Sequence, residues 1–292
     1  MPMQTTVLNG TKLAAKIKAE VCEQACEFTD KHGRQPKLAV ILVGNNPASE
    51  IYVRNKNKDC TECGIDQETI NIRANANQSV VLDCIKKLND DPDVDGILVQ
   101  MPLPKHIDPM AIMAAIDPKK DVDCFTPENV GRLWTGNQPV LKPCTPAGIV
   151  DLLNEYIHPL LLHGRNAVII NRSNIVGRPL IAMLLEHGLD MTVTVCHSNT
   201  YAHELSWHIK HADLLVTAVG KPDFITPKSI REGAMVIDVS MNHDKHGQLC
   251  GDCADLTGIA GAITPVPGGV GPMTRAELMR NVMTAAKLNT GN

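Results

Sequence analysis

No apolar run in this 292-residue chain approaches the ~20 residues that a helix needs to cross a bilayer. The N-terminal Met1-Pro-Met-Gln-Thr-Thr has no charged segment leading into an apolar one, so no export signal is read there and a cytoplasmic protein is expected. Dense runs of Lys and Arg are missing too, and the formal net charge is −4, which leaves no electrostatic footprint for nucleic acid or an anionic membrane surface. There is no internal repeat and no low-complexity segment. Ten cysteines are present, but they are scattered through helix-like and strand-like segments of a large chain, so free thiols are expected rather than a disulfide framework. What remains is an ordinary globular composition, 43% hydrophobic, with length enough for two compact domains.

The apolar pattern alternates between the two periods of regular structure. Residues 11–28 place Leu13, Ile17, Val21 and Phe28 on one helical face. Lys37–Val43 reads as a strand, Pro47–Cys63 as a helix, Glu68–Ile72 as a strand, Ser79–Asn89 as a helix and Asp95–Gln100 as a strand. Strands separated by helices of this length imply right-handed crossovers and a parallel sheet. From Met101 to Pro146 eight prolines break the periodic runs, and the texture is that of a domain crossing. A second β/α series follows, with strands near 166–171, 191–196, 213–219 and 234–239, a short strand at Ala262–Thr264 and a final helix over Met273–Lys287. That helix is expected to pack back on the first domain. The predicted organisation is α/β with two domains: residues 1–145 plus 272–292 as an N-terminal α/β catalytic domain, and residues 146–271 as a Rossmann-like parallel-sheet nucleotide domain, with a cleft between them.

The segment from Ala167 to Pro179 runs from buried strand through polar loop to helix start, where free N–H groups and the helix dipole can hold a pyrophosphate. Its loop carries one glycine, Gly177, where the dinucleotide fingerprint has three, and Asn171 stands where the first is expected. Asparagine tolerates left-handed backbone, which would keep the tight turn. An ordinary strand-to-helix turn is the competing reading. The next strand ends in His197 and Ser198 with no carboxylate to bind ribose hydroxyls, while Arg172 lies in the loop, so a 2′-phosphate fits better than a free hydroxyl and NADP is favoured over NAD.

Tyr52 and Lys56 lie at i and i+4 on one helical face, an aromatic ring beside an amine. Gln100 ends a strand at its carboxyl end, where open parallel sheets bind ligands. Asp121 and Asp123 sit in the proline-rich crossing, facing a cleft or forming a turn. Pro265-Val-Pro-Gly-Gly-Val-Gly-Pro272 contains two adjacent glycines that permit close backbone approach to a ligand, or a plain structural turn. Cys60-x-x-Cys63 and Cys250-x-x-Cys253 have metal-ligand spacing, with His243, Asp244 and His246 close to the second pair. Gly247 and Gly251 flank Gln248-Leu-Cys250 in the manner of a short solvent-facing hairpin, and no metal is expected.

Taken together, VGNNPASEIYVRNKNKDCTECGI at 43–65, DGILVQMPLP at 95–104, PKKDVDCFTPENVGRL at 118–133, PCTPAGI at 143–149, NRSNIVGRP at 171–179, VTVCHSNT at 193–200, ADLLVTAVGKPDFI at 212–225 and ITPVPGGVGPMT at 263–274 resemble the bifunctional methylenetetrahydrofolate dehydrogenase/cyclohydrolase family, the FolD type, over almost the whole chain. The resemblance implies NADP-dependent oxidation of 5,10-methylenetetrahydrofolate to the 5,10-methenyl cation, then hydrolysis to 10-formyltetrahydrofolate, in one-carbon metabolism. It implies a homodimer with tetrahydrofolate derivatives as ligands. By match to the family motifs, Tyr52 would stack on the aminobenzoyl ring, Lys56 would be the catalytic lysine, Gln100 its polar partner and Asp123 the pterin anchor. Ser49 and the turn Pro267-Gly268-Gly269 would shape the folate site. Asn171, Arg172, Ser173, Gly177, His197, Ser198 and Met241 would form the cofactor site.

Three departures stand out: Cys124 where the family usually reads glycine in D-G-F, Asn171 for a glycine beside the pyrophosphate, and Ser240 for a common glycine near the nicotinamide end. The rival readings are a dehydrogenase without effective cyclohydrolase activity and a non-catalytic folate-binding or zinc-responsive protein.

Overall fold

The computed structural model describes residues 4–136 and 141–291, excluding the side chains of residues 47–51. The chain divides into two compact units, Met1–Ala14 with Thr145–Thr274, and Ala15–Cys144 with Arg275–Asn292. The chain opens with β1 (Thr6–Val7) in the first of these, and α1 (Gly10–His32) carries it into the second.

The second unit is built on β2 (Lys37–Val43), α2 (Pro47–Glu62), β3 (Asp66–Ile72), α3 (Gln78–Asp90) and β4 (Gly96–Val99). Its three strands run parallel in the order β3-β2-β4. The central strand is an unbroken apolar run, buried from Leu38 to Val43, as expected when both faces of a parallel sheet are covered. On α3, Val81, Ile85 and Leu88 recur at helical spacing and join Ile41, Val43, Ile97 and Val99 in one core. Two short helices lie within the described part of the proline-rich stretch. Asp108 caps α4 (Pro109–Ala114) by accepting from Met110 N–H, and Thr126 caps α5 (Pro127–Trp134) by accepting from Asn129 N–H. Pro109 and Pro127 therefore start helices, in the first turn where a missing N–H costs nothing.

The other unit follows with α6 (Cys144–Tyr156), a 3-10 turn at Pro159–Leu161, β5 (Asn166–Ile170), α7 (Gly177–Leu185), β6 (Thr192–Cys196), α8 (Ala202–His211), β7 (Leu214–Thr217) and β8 (Met235–Asp238). A small antiparallel hairpin, β9 (Asn242–His243) and β10 (Leu249–Cys250), precedes β11 (Ala262–Ile263). The main sheet has the order β1-β11-β8-β7-β5-β6 and is parallel throughout. Chain order reverses at β5, with β6 on one side and β7 on the other, which is a topological switch point.

The last helix, α9 (Val270–Asn289), passes at Thr274 from the six-stranded unit to the three-stranded one. One sequence expectation is overturned here. Residues 1–14, read as part of the first domain, belong to the six-stranded unit, because β1 pairs with β11 and Thr5 Oγ1 donates to Ala260 O at 2.8 Å. A two-residue strand has no periodicity to betray its partner, and this partner lies some 250 residues away.

Candidate functional site

In the three-stranded unit, α2 presents Tyr52, 47% exposed, one turn ahead of Lys56. Lys56 Nζ donates to Gln100 Oε1 at 3.1 Å. Gln100 directly follows β4, and its backbone N–H continues the ladder to Ile41 O at 2.9 Å. Its Nε2 donates to Met101 O at 2.8 Å, so the amide is pinned with its oxygen turned to the lysine. Asp123 completes the group. The protein crowded around its carboxyl pushes the pKa up, the nearby Lys56 charge pulls it partly back, and Asp121 adds to the rise.

The ambiguity between the two aspartates resolves into two different tasks. Asp121 is 1% exposed and builds the turn, accepting from Phe125 N–H (3.1 Å), Thr126 N–H (2.8 Å) and Asn129 Nδ2 (3.0 Å). Asp123 keeps its carboxylate for other partners: among the described residues its one donor is the Cys144 thiol, weak at 3.9 Å. Cys124 has φ 59°, the left-handed region, which explains why a glycine suits this position in the family motif. Its thiol is buried and donates to Leu141 O at 3.2 Å.

Sequence reading missed the side chains that hold this arrangement. Asn281 on α9 is buried and donates through Nδ2 to Val122 O (2.8 Å) and Lys142 O (2.7 Å), tying down the chain next to Asp123. Asp59, three residues after Lys56 on α2, is fully buried and accepts from Lys18 Nζ (2.7 Å) and Arg275 Nη2 (2.6 Å). Burial alone would raise its pKa, but the hydrogen bonds from Arg275 and Lys18 outweigh that and hold it below the usual carboxylate range. Lys18 also pairs with Glu62. Spacing offered no signal for these contacts, since each joins segments far apart in sequence. Ser49 lies within α2, and its side chain is outside the described residues.

In the six-stranded unit the loop after β5 exposes Arg172, Ser173, Asn174 and Ile175 and leads into the N-terminus of α7. The turn does not use left-handed backbone at Asn171, whose φ is not positive. Its side chain does the shaping instead: Oδ1 accepts from Ser173 N–H (2.8 Å) and Gly177 N–H (3.1 Å), and Nδ2 donates to Ala218 O (2.9 Å). Gly177 is required sterically, because a Cβ there would lie 2.3 Å from Asn171 O. After β6, Ser198 is exposed and His197 Nδ1 accepts from Asn199 N–H at 3.2 Å. Met241 is 50% exposed. Ser240 turns inward, donating to Asp252 Oδ2 at 2.7 Å and accepting from Gly220 N–H at 3.1 Å.

The glycines of Pro267-Gly268-Gly269 serve their own chain. Gly268 has φ 107° and its carbonyl accepts from Thr11 N–H at 2.9 Å in the first turn of α1. A Cβ on Gly269 would lie 2.6 Å from Pro265 O.

The Cys250/Cys253 motif also has a local explanation. Asp244 closes the hairpin by accepting from His246 N–H and Gln248 N–H, both at 2.8 Å. Cys250 and Cys253 line a cavity of about 320 Å³ together with Asp238 and Thr264, and Cys253 N–H donates to Asp238 Oδ2 at 2.8 Å. Among the described residues no group of three or more His, Cys, Asp or Glu side chains is arranged to hold a metal ion. No described helix is long and apolar enough to cross a membrane.

Comparison with known proteins matches both units. The family model described as tetrahydrofolate dehydrogenase/cyclohydrolase, catalytic domain, matches residues 8–123, and that of the NAD(P)-binding domain matches residues 143–290. "Bifunctional protein FolD" of Acetivibrio thermocellus is 49% identical over 288 residues, 98% of each chain. The crystal structure of the bifunctional FolD enzyme of Campylobacter jejuni superposes with a TM-score of 0.93 at 44% identity, over 97% of this chain and 99% of that one. The Trypanosoma brucei FolD structure, solved with NADP cofactor and inhibitor, gives 0.92 at 34% identity over 100% of both. With both family models falling in order along the chain and relatives matched from end to end, the protein belongs to the tetrahydrofolate dehydrogenase/cyclohydrolase family.

Proposed function

We propose that the protein oxidises 5,10-methylenetetrahydrofolate with NADP⁺ to the 5,10-methenyl cation and hydrolyses that cation to 10-formyltetrahydrofolate. The observation that carries this reading is the Lys56–Gln100–Asp123 group, with Tyr52 one helical turn from the lysine. Tyr52 offers an exposed ring for stacking against the aminobenzoyl group. Asp123 offers a carboxylate with unused acceptor capacity, suited to the paired N–H donors of a pterin ring.

For oxidation the protein need only align two rings, and no strong base is required. Bound NADP⁺ supplies the hydride acceptor. The residues present suit that group: Arg172 and Ser173 lie exposed before the N-terminus of α7, and no carboxylate follows β6 to repel a 2′-phosphate. Hydrolysis makes a greater demand on side chains. Water must lose a proton as it adds to the cationic carbon, and the departing ring nitrogen must gain one. Lys56 is the group suited to both transfers. One Nζ–H is committed to Gln100, which fixes where the nitrogen sits while leaving its other valences for a water. The assignment of Ser49 and of the turn Pro267-Gly268-Gly269 to the folate rests on the family resemblance alone. The same reading makes the protein a cytoplasmic homodimer in one-carbon metabolism, and light scattering at twice the chain mass tests the dimer.

The experiment that tests the function is turnover of 5,10-methylenetetrahydrofolate with NADP⁺ and, separately, NAD⁺, following reduced nicotinamide and the methenyl species together. The expected result is NADP-dependent reduction with little methenyl build-up. Accumulated methenyltetrahydrofolate would identify a dehydrogenase without effective cyclohydrolase activity, and no reduction with either nucleotide would leave a non-catalytic folate-binding protein.

A further inference from the structure

One buried carboxylate gathers the ends of two neighbouring strands in the six-stranded unit. Asp252, with no exposed surface, accepts at Oδ2 from Thr217 Oγ1 (2.8 Å), Val219 N–H (2.7 Å) and Ser240 Oγ (2.7 Å). At Oδ1 it accepts from Gly220 N–H (3.0 Å), Lys221 N–H (2.8 Å) and Asn242 Nδ2 (3.0 Å). Burial would raise its pKa, but the bonds from Val219, Ser240, Asn242 and Thr217 more than offset that and hold it below the usual range. Such a carboxylate has no acceptor capacity left for a ligand. Its partners are the turn after β7 and the segment after β8, both at the carboxyl ends of parallel strands.

The turn after β7 is tied on its other side to the phosphate-type loop. Ala218 O accepts from Asn171 Nδ2, and Asn171 Oδ1 in turn accepts from the N–H groups of Ser173 and Gly177. A continuous polar chain thus runs from Asp252 through residues 218–221 to the loop 171–177, across the point where β5 and β7 part. Two of its members, Asn171 and Ser240, stand where glycine is common in the family motifs.

We propose that Asp252 and Asn171 are positioning residues that pre-form the dinucleotide crevice, fixing the spacing between the 218–221 turn and the 171–177 loop without themselves binding the nucleotide. Asn171, expected from the resemblance to contact the cofactor, acts through the main-chain groups it arranges. The inference rests on the NADP reading above. It accounts for a loop with one glycine remaining fit for a pyrophosphate: side-chain bonds hold the shape that glycines permit elsewhere.

The test measures NADP⁺ affinity by calorimetry in the full-length chain and in Asp252→Asn, Asn171→Gly and Ser240→Ala, alongside hydrolysis of 5,10-methenyltetrahydrofolate, which consumes no nucleotide. In Asp252→Asn the new NH₂ can face the hydroxyls of Thr217 and Ser240, which can turn to accept, but it strands the Val219 N–H. Asp252→Asn and Asn171→Gly are expected to raise the NADP⁺ Kd about tenfold, equivalent to about 1.4 kcal/mol, and Ser240→Ala to raise it by less. Methenyl hydrolysis is expected to stay within about twofold of the unsubstituted rate, since a tenfold loss would need about 1.4 kcal/mol. Unchanged Kd in both Asp252→Asn and Asn171→Gly overturns the proposal. Parallel loss of affinity, hydrolysis and melting temperature also overturns it, because a purely structural role predicts that outcome. Should Asp252→Asn fail to fold, Asn171→Gly decides alone. A full-length chain that binds no NADP⁺ removes the nucleotide reading itself, and the inference with it.

Discussion

The two units use polar side chains in opposite ways. In the three-stranded unit Tyr52, Lys56 and Asp123 offer their own functional groups, and each keeps exposure or unused bonding capacity. In the six-stranded unit Asn171 and Asp252 spend their bonds inside the protein, Asn171 on neighbouring main chain and Asp252 on three backbone N–H groups and three side chains, and what they leave on display is backbone and loop. A site for proton chemistry needs side chains held slightly unsatisfied. A site for a dinucleotide needs N–H groups held still, and satisfied side chains do that work.

The sharpest way to break this contrast is Lys56→Ala. If the lysine moves protons, methenyl hydrolysis falls by about 10²- to 10⁴-fold while hydride transfer falls far less. Stopped-flow loss of the methenyl chromophore checks this, and hydrolysis at the normal rate would sink the assignment.

Asp123→Asn separates function from stability. Its folded pKa is raised, so ionised Asp123 costs stability, and that cost grows as pH rises from the ordinary carboxylate value of about 4 through the folded value. The variant should gain stability at neutral pH, with the gain vanishing near pH 4. The same change should raise the folate KM by roughly ten- to a hundredfold, the loss of a charge-assisted bond. Urea midpoints at several pH values, paired with KM, decide both halves.

Asp59→Ala tests the support beneath the lysine and should behave oppositely in pH. The folded pKa of Asp59 is lowered, so its contribution is present above about pH 4 and disappears as pH falls through the folded value. Arg275 and Lys18 retain some contact with water, so the loss should be about 2–3 kcal/mol rather than the 3–5 of a fully buried pair. A urea midpoint unchanged at pH 7 would contradict it.

The smallest effect is expected from Cys124→Gly. Relief of the left-handed backbone, worth about 1–2 kcal/mol, is set against the loss of a buried thiol, so the net change should stay within ~1 kcal/mol. A larger loss would show that the thiol contact to Leu141 outweighs the backbone strain.

Much of the architecture was legible because it is periodic. Lys37–Val43 appears as the strand its unbroken apolar run predicts, and the Tyr52/Lys56 spacing places both on α2. Gln100 was recognisable as a strand end. What stayed hidden depends on contacts between distant segments. Nothing near residue 281 announces that its amide holds Val122 and Lys142, and nothing near 252 announces six donors. Only the family resemblance chose Asp123 over Asp121, because two identical side chains two residues apart differ only in what surrounds them. Asn171 was noticed, but for its backbone tolerance rather than for the side-chain bonds that matter.

The division of the chain also bears on synthesis. Residues 15–144 interrupt the six-stranded unit, and residues 275–292 complete the three-stranded one after that interruption has closed. During synthesis neither unit is whole until Thr274 has emerged. The first strand must wait for β11, while Asp59 and Val122 wait for Arg275 and Asn281. Such a chain spends most of its emergence with β1 unpaired and with Asp59 offered Lys18 but not yet Arg275. The stretch of α9 from Arg275 onward is the part of the three-stranded unit made after all the rest, and with it come the bonds to Asp59, Val122 and Lys142 that hold the ground around the lysine and Asp123.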